Sequence, residues 1–365
     1  MSVSYGGDSI TFADGSVQSG GWTGMKNRII NGDMRIDQRN AGASISADDG
    51  KFAVDRFLFN MQTNSKGTGI QSTDAPPGFK YSLLYTNGSA YTVPSGDTFG
   101  VLHRIEGNNV FDLAWGTADA KAVTLSFWVK SSVTGTFGGA LKGSYGTAYT
   151  YAFTYTINAS NTWEYKTITI PGPTVGTWSA TTGLGITISI GLGNGSAASI
   201  APNSWTASNT WSATGAVSVL ATAGATFQIT GVQLERGSTA SSFEYRLYGA
   251  ELALCQRYYY LHASGDQAPI ASSAFYYGST QANAYISLPV TMRTTPSLVM
   301  AIGSYYRYVS AGGGSDTFTT LTIDGTPSVN LVDLYNNTEV SGTAGQSAIS
   351  RTTNALARIA FSAEF

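Results

Sequence analysis

Three kinds of side chain in this sequence could act on a ligand: aromatic rings set among small polar residues, a scatter of carboxylates, and two histidines. Four tryptophans lie in stretches rich in Asn, Ser, Thr and Gly: Trp163 in NTWEY, Trp178 in GTWSA, and Trp205 and Trp211 in NSWTASNTWS. An aromatic face beside short hydroxyl and amide side chains suits a sugar ring, whose C–H face stacks and whose hydroxyls take hydrogen bonds. The same rings could instead fill a core or a subunit contact, where aromatics are equally at home. Paired tyrosines beside polar loops follow later: Tyr276 and Tyr277 in SSAFYYGST, Tyr305 and Tyr306 in GSYYRYVSAGGGSD. That composition is typical of adaptable binding surfaces. These eight are the candidate glycan contacts.

Covalent chemistry finds less support. No G-x-S-x-G nucleophile elbow occurs. His103, in VLHRIEG, flanks apolar residues of an expected strand and reads as a structural imidazole. GLGNGS at 191–196 departs from G-x-G-x-x-G and opens no helix, so it reads as a turn. Asp33, Asp37, Asp48, Asp49, Asp55, Glu106, Glu235 and Glu244 could include a glycosidase pair, but spacing along the chain does not say which two come close. Asp48-Asp49-Gly50 could lend oxygens to calcium, though without EF-hand spacing. Cys255 is the single cysteine, which rules out an intrachain disulfide and a thiolate cluster; it reads as a small buried apolar residue. His103 and His262, far apart in sequence, leave zinc short of its usual ligands. The expectation is no catalytic residue, no metal site and no cofactor.

The elements that must hold these residues are strands. Val123, Leu125, Phe127 and Val129 alternate with Thr124, Ser126, Trp128 and Lys130. Tyr149, Tyr151, Phe153, Tyr155 and Ile157 share one face of YTYAFTYTIN, and Ile186, Ile188, Ile190 and Leu192 share one face of GITISIGL. Period-two runs bounded by Gly, Pro, Asn or Ser predict half-buried antiparallel strands. In ATFQITGVQLERG, Phe227 and Ile229 set one phase and Val232 and Leu234 the other, which predicts a bulge at Thr230-Gly231. One helix is expected, in YGAELALCQRYYYL, joining two β-domains. After Gly265 the pattern returns to strands and ends in one, NALARIAFSAEF. No solenoid or propeller repeat is visible.

Composition bounds the partners. Lys+Arg 20 against Asp+Glu 22 offers no basic field for a nucleic-acid backbone. Charged residues are 12%, about half the usual share, while 43 glycines and many Ser, Thr and Asn make up the polar surface. Such a surface suits a chain that lives assembled. The N-terminus lacks the charged and apolar regions of a secretory signal, and no 18-residue apolar run predicts membrane insertion. Residues 1–24, with Ile10 and Phe12 before the Asp14-Gly15 turn and Val17 after it, read as a hairpin too small to hold itself together, which either packs on something else or stays disordered; a docking element is the favoured reading.

Three blocks, NRIINGDMRIDQRNAG, FAVDRF and GVQLERGSTASSFEYRLYGAELALCQRYY, together resemble bacteriophage tail-fibre and virion-appendage proteins. The likeness covers roughly a sixth of the chain, and ITFADGSVQS is similar to segments near the start of such fibres. It implies a jelly-roll domain like a carbohydrate-binding module, carried as a homotrimer on the virion. Asn31, Gly32 and Asp33 would form the turn that opens the domain, and Asp55 with Arg56 an internal polar pair. Glu235, Phe243 and Glu244 would close its last strand. All of these are structural roles, and Phe57 stands where such proteins more often carry Trp.

The expected organisation is therefore all-β: a virion-attachment segment at 1–24, a jelly-roll β-sandwich at 25–247, a connector helix at 248–262, and a second smaller β-sandwich at 263–365. The expected function is non-enzymatic host attachment, with glycan bound by many weak sites. The expected partners are itself, other virion proteins and host surface glycan. Two alternatives stay open, a capsid-bound fibre, spike or decoration protein with a structural role, and a polysaccharide depolymerase.

Overall fold

A computed structural model describes residues 25–143, 149–325 and 327–365 (Ser272 by its backbone alone), together with the backbone of three leader strands. In the leader, Ser9–Thr11 pairs antiparallel with both Ser4–Gly6 and Val17–Ser19. Two arms of the expected hairpin are thus present; Phe12 and the Asp14-Gly15 turn lie outside the described residues. The chain divides into two compact units, Met1–Leu247 with Phe365, and Tyr248–Glu364.

The first unit is a jelly-roll sandwich of two antiparallel sheets. One has six strands in the order Glu164–Ile170, Val123–Ser131, Thr226–Arg236, Ser82–Asn87, Gly67–Ser72 and Ile45–Ser46. The other has seven, in the order Trp205–Ala207, Tyr149–Ile157, Gly135–Lys142, Leu184–Asn194, Thr98–Glu106, Phe57–Met61 and Phe52–Val54. Alternation explains the layering: Val123, Leu125, Phe127 and Val129 point into a core shared with Phe137, Phe153, Ile188 and Phe227. Period two anticipates strands with one wet face, but the Leu184–Asn194 strand is covered on both. The loop carrying Ser212 and Ala213 lies on the outer face, where a Cβ on Gly138 would meet the Ser212 hydroxyl. Thr187 and Ser189, on the polar phase of that strand, are buried as well.

The predicted bulge is present. Ser126 faces Gln233 and Trp128 faces Thr230, so one residue on one strand, Phe127, opposes two on the other, Gly231 and Val232, and Gly231 takes φ +62°. Beyond the bulge the edge of the Thr226–Arg236 strand is closed by the opening stretch. Val232 N–H donates to the Gly32 carbonyl, Arg28 N–H to the Leu234 carbonyl, and Asn27 bonds Val232 and Leu234 through its amide. A side chain on Gly32 would run into the Val232 carbonyl oxygen, which is why the motif carries glycine there. Asn31 at φ 61° makes the turn, and its amide donates to the carbonyls of Ile36 and Asp55.

The second unit opens on the helix Tyr248–Gln256, followed by the strand Tyr259–Ser264. The helix is thus shorter than 248–262, because the tyrosine run after Arg257 pairs with Arg358–Ser362 instead of continuing to wind. Cys255 is buried within the helix. Two sheets enclose the core. The smaller has the order Tyr259–Ser264, Arg358–Ser362 and Ser297–Met300. The larger has the order Ser315–Phe318, Tyr306–Ser310, Ser347–Thr352, Pro269–Gly278, Gln281–Ser287, Leu331–Asn336 and Thr322–Ile323. Ala282, Ala284, Ile286, Val332, Leu334, Tyr308 and Phe318 alternate inward to fill the space between them.

Candidate functional site

The bulge does more than reconcile two phases. Trp128 sits on the outer face of the six-stranded sheet, directly opposite Thr230 on one neighbour and Tyr165 on the other. The Trp128 and Tyr165 rings lie 5.3 Å apart, tilted by 47°. Gly231 forms the floor beside them: a Cβ there would come 2.7 Å from the Phe79 ring and 3.1 Å from the Trp128 indole. Across the floor rises a second aromatic wall. Phe79, Phe243 and Tyr245 pack mutually at 4.9–5.5 Å between centroids. Ser126, Ala240, Ser241 and Ser242 complete an open groove of about 620 Å³.

Buried polar groups fix this second wall. Glu235 accepts from the Ser241 N–H at 2.8 Å and from its hydroxyl at 2.6 Å, while Gln233 accepts from the Glu244 N–H at 2.9 Å. Glu244 in turn takes the Asn27 N–H, and Arg246 donates to the Ile29 carbonyl, so the opening and closing blocks clasp each other. The Tyr245 hydroxyl donates to the Gly78 carbonyl at 2.9 Å. Burial pushes the Tyr165 phenol above its ordinary range, with Glu235 adding and a hydrogen bond from Ser126 opposing, so it stays a neutral donor.

Trp128 differs from four of the other described tryptophans. The indole N–H groups of Trp115, Trp163, Trp178 and Trp205 donate to Lys121, Asp74, Val175 and Pro171 respectively. That of Trp128 has no hydrogen-bond partner among the described residues, although the ring is half-buried. A surface with two inclined rings, one open indole donor, several hydroxyls and no formal charge in its lining can take a polyol whose C–H faces stack.

The eight sequence candidates scatter. Trp163 shares the sheet face of the groove, next along from Tyr165, but its ring is overlain by Lys130 at 5.5 Å and its N–H is held by Asp74. Trp178 and Trp205 pack edge-to-face with Trp115 in a three-indole cluster, at 4.7–5.5 Å between rings. Trp211 lies 3.6 Å from the Lys142 ammonium, and burial pulls that amine down to about 8. In the second unit, Tyr276 and Tyr306 are core residues and leave the candidate list. Their hydroxyls are committed to Asp316 and to the Ala301 and Arg358 carbonyls. Tyr305 packs on Tyr306, and Tyr277 is 70% exposed on the outer sheet face.

Sequence reading passed over Trp128 and Tyr165, although a signal existed. Both are large aromatics on the polar phase of an alternating strand, out of place unless something binds there. It also gave the closing block only structural roles, whereas Phe243 and Tyr245 line the groove. His103 is structural in place, buried beside the Ile30 backbone. Asp55 receives Gln38 and Arg39, and Arg56 donates to the Arg104 carbonyl, both fully inside. No cluster of three metal-ligating side chains occurs among the described residues.

No family model matches the chain, and no curated protein matches it by sequence. Solved structures share parts of its shape. The enzymatically active domain of bacteriophage CBA120 tailspike protein 4 aligns at TM-score 0.34 and 13% identity, over 58% of this chain and 22% of that one. A CBM4 structure aligns at 0.30 and 16%, over 57% and 99%. The family 11 carbohydrate-binding module of a cellulosomal cellulase from Clostridium thermocellum aligns at 0.27 and 12%, over 55% and 99%. A shared sandwich does not carry a shared ligand, and the groove has to be judged by its own residues.

Proposed function

We propose that the first unit binds carbohydrate in the Trp128–Tyr165 groove, and that the chain serves as a bacteriophage host-attachment protein on the outside of the virion. One observation carries the binding reading: a half-exposed indole with an open N–H, inclined against a tyrosine over a glycine floor. In the same reading the chain acts as a homotrimer, which multiplies weak sites into useful avidity without new contacts. Residues 1–24 fasten it to other virion proteins. The groove has no carboxylate in its lining, and Glu235 behind it is engaged by Ser241, so binding without hydrolysis is the favoured chemistry.

The test is an array of host-envelope polysaccharides and lipopolysaccharide sugars probed with the full chain. Trp128→Ala and Tyr165→Ala should each weaken binding about 3- to 10-fold per site, more on a multivalent surface. Leu356→Ala, at an exposed position of the second unit, should leave it unchanged. A wild-type chain that ignores every host glycan would overturn the binding reading in favour of a structural fibre or decoration role. Release of sugar would make it a depolymerase.

A further inference from the structure

The larger sheet of the second unit has an inner face that fills the core and an outer face with an unusual make-up. Tyr277, Tyr285, Leu331 and Ile349 stand on it at 70%, 50%, 45% and 43% exposure. Phe275 stacks on Tyr285 beside them, at 6.1 Å between ring centroids. Single exposed apolar residues need no explanation, but a contiguous sheet face of them marks a contact surface.

Charge on this face is separated. Arg307 and Arg351 stand directly opposite each other on the neighbouring strands Tyr306–Ser310 and Ser347–Thr352. Asp333 lies on Leu331–Asn336, four strand spacings from Arg307, about 19 Å away at ~4.8 Å per spacing. Among the described residues neither Arg307 nor Asp333 has an ion-pair partner. Arg307 Nε is buried without a hydrogen bond, while the Asp333 carboxyl takes Asn283 at 3.0 Å and lies against the Tyr285 hydroxyl on the facing strand. A buried polar atom left open beside exposed apolar side chains calls for a partner from outside. The strand Pro269–Gly278 runs midway between the two charges.

From this symmetry we infer that the outer face of this sheet is where the chain associates with further copies of itself, arginine side against aspartate side. Turning a second copy about the central strand lays the Arg307 strand over the Asp333 strand of its partner: with Ile349 over Tyr285, Val309 comes over Asp333 and Arg307 stands two residues, about 7 Å, along from it, a span its long side chain can cross. The inference names a surface for self-association, and it stands whether or not the groove binds sugar.

Native mass spectrometry and sedimentation of the full chain test it. Wild type should assemble, and Arg307→Glu or Asp333→Arg alone should weaken association at least tenfold. The double exchange Arg307→Glu/Asp333→Arg should restore it, because the charges are then swapped between facing sides. Ile349→Asp, at an exposed position, should dissociate the assembly with an unchanged circular dichroism spectrum. A monomeric wild type, single variants that assemble like wild type, or a folded double variant that stays dissociated would each overturn the inference. Trp128→Ala should leave the mass unchanged, which separates a failure here from a failure of the sugar reading.

Discussion

Acidification should loosen the first unit through one side chain, His103. The imidazole is 2% exposed, with the Phe57 ring edge-on at 4.9 Å and Nε2 3.1 Å from the Ile30 carbonyl oxygen. Burial, reinforced by the positive charges of Arg56 and Arg246, holds its pKa well below the ordinary histidine value, and the Ile30 carbonyl opposes only in part. In the unfolded chain the same ring takes a proton near 6.5. Below that pH the unfolded state therefore binds a proton that the folded state refuses. The stability is complete above about 6.5 and falls as pH drops toward the depressed folded value, at about 1.4 kcal/mol per unit. The loss at pH 5.0 is at most about 2 kcal/mol, or roughly 4–8 °C in Tm for a unit of this size. Calorimetric scans at pH 7.5, 6.5, 5.8 and 5.0 would read it, above the range where most carboxylates titrate. His262 is also shifted down by burial, against its bond to the Ile270 carbonyl, and adds a loss of the same sign in the second unit. His103→Gln and His262→Gln therefore have to be scanned separately. A first-unit transition that is flat from pH 7.5 to 5.0, or one whose slope survives His103→Gln, would refute the reasoning.

Two further substitutions probe the interior of the first unit. Gly231→Ala puts a Cβ at φ +62° against the Phe79 and Trp128 rings. It should cost about 1–3 kcal/mol in urea unfolding and also weaken sugar binding, since the groove floor is displaced. Lys142→Met removes a buried charge whose pKa burial lowers to about 8, while keeping its length. Stability at pH 7 should rise by about 1–3 kcal/mol. The wild type should gain stability between pH 8 and about 10.5, where only the unfolded lysine stays charged, and the variant should not. A loss above about 1 kcal/mol at pH 7 would show that the contact with Trp211 outweighs the desolvation.

Alternation along each strand is a local property, so the all-β class, the two sandwiches and the joining helix were legible in the sequence. The bulge was legible too, because Phe227 and Val232 could not share a face without one. Cys255 and His103 could be placed inside from their apolar neighbours. What the chain could not disclose was which polar phase meets water and which is covered from a distance. Thr187 and Ser189 stand on the polar phase of their strand, yet both are buried, and the Ser212 hydroxyl lies over Gly138 and Gly191 on the same sheet. Tyr276 and Tyr277 are neighbours in sequence but lie on opposite sides of one sheet, one buried and one open. Trp178 and Trp205, in loops that look like binding loops, find Trp115 from a distant segment and close into a cluster. The groove itself needs Phe79, Trp128, Tyr165, Gly231 and Phe243, drawn from five separate stretches. Sequence determined the strands and their faces, because side-chain direction follows backbone period. Only the tertiary structure decided which aromatic faces remain open, because that depends on which distant segment arrives to cover them.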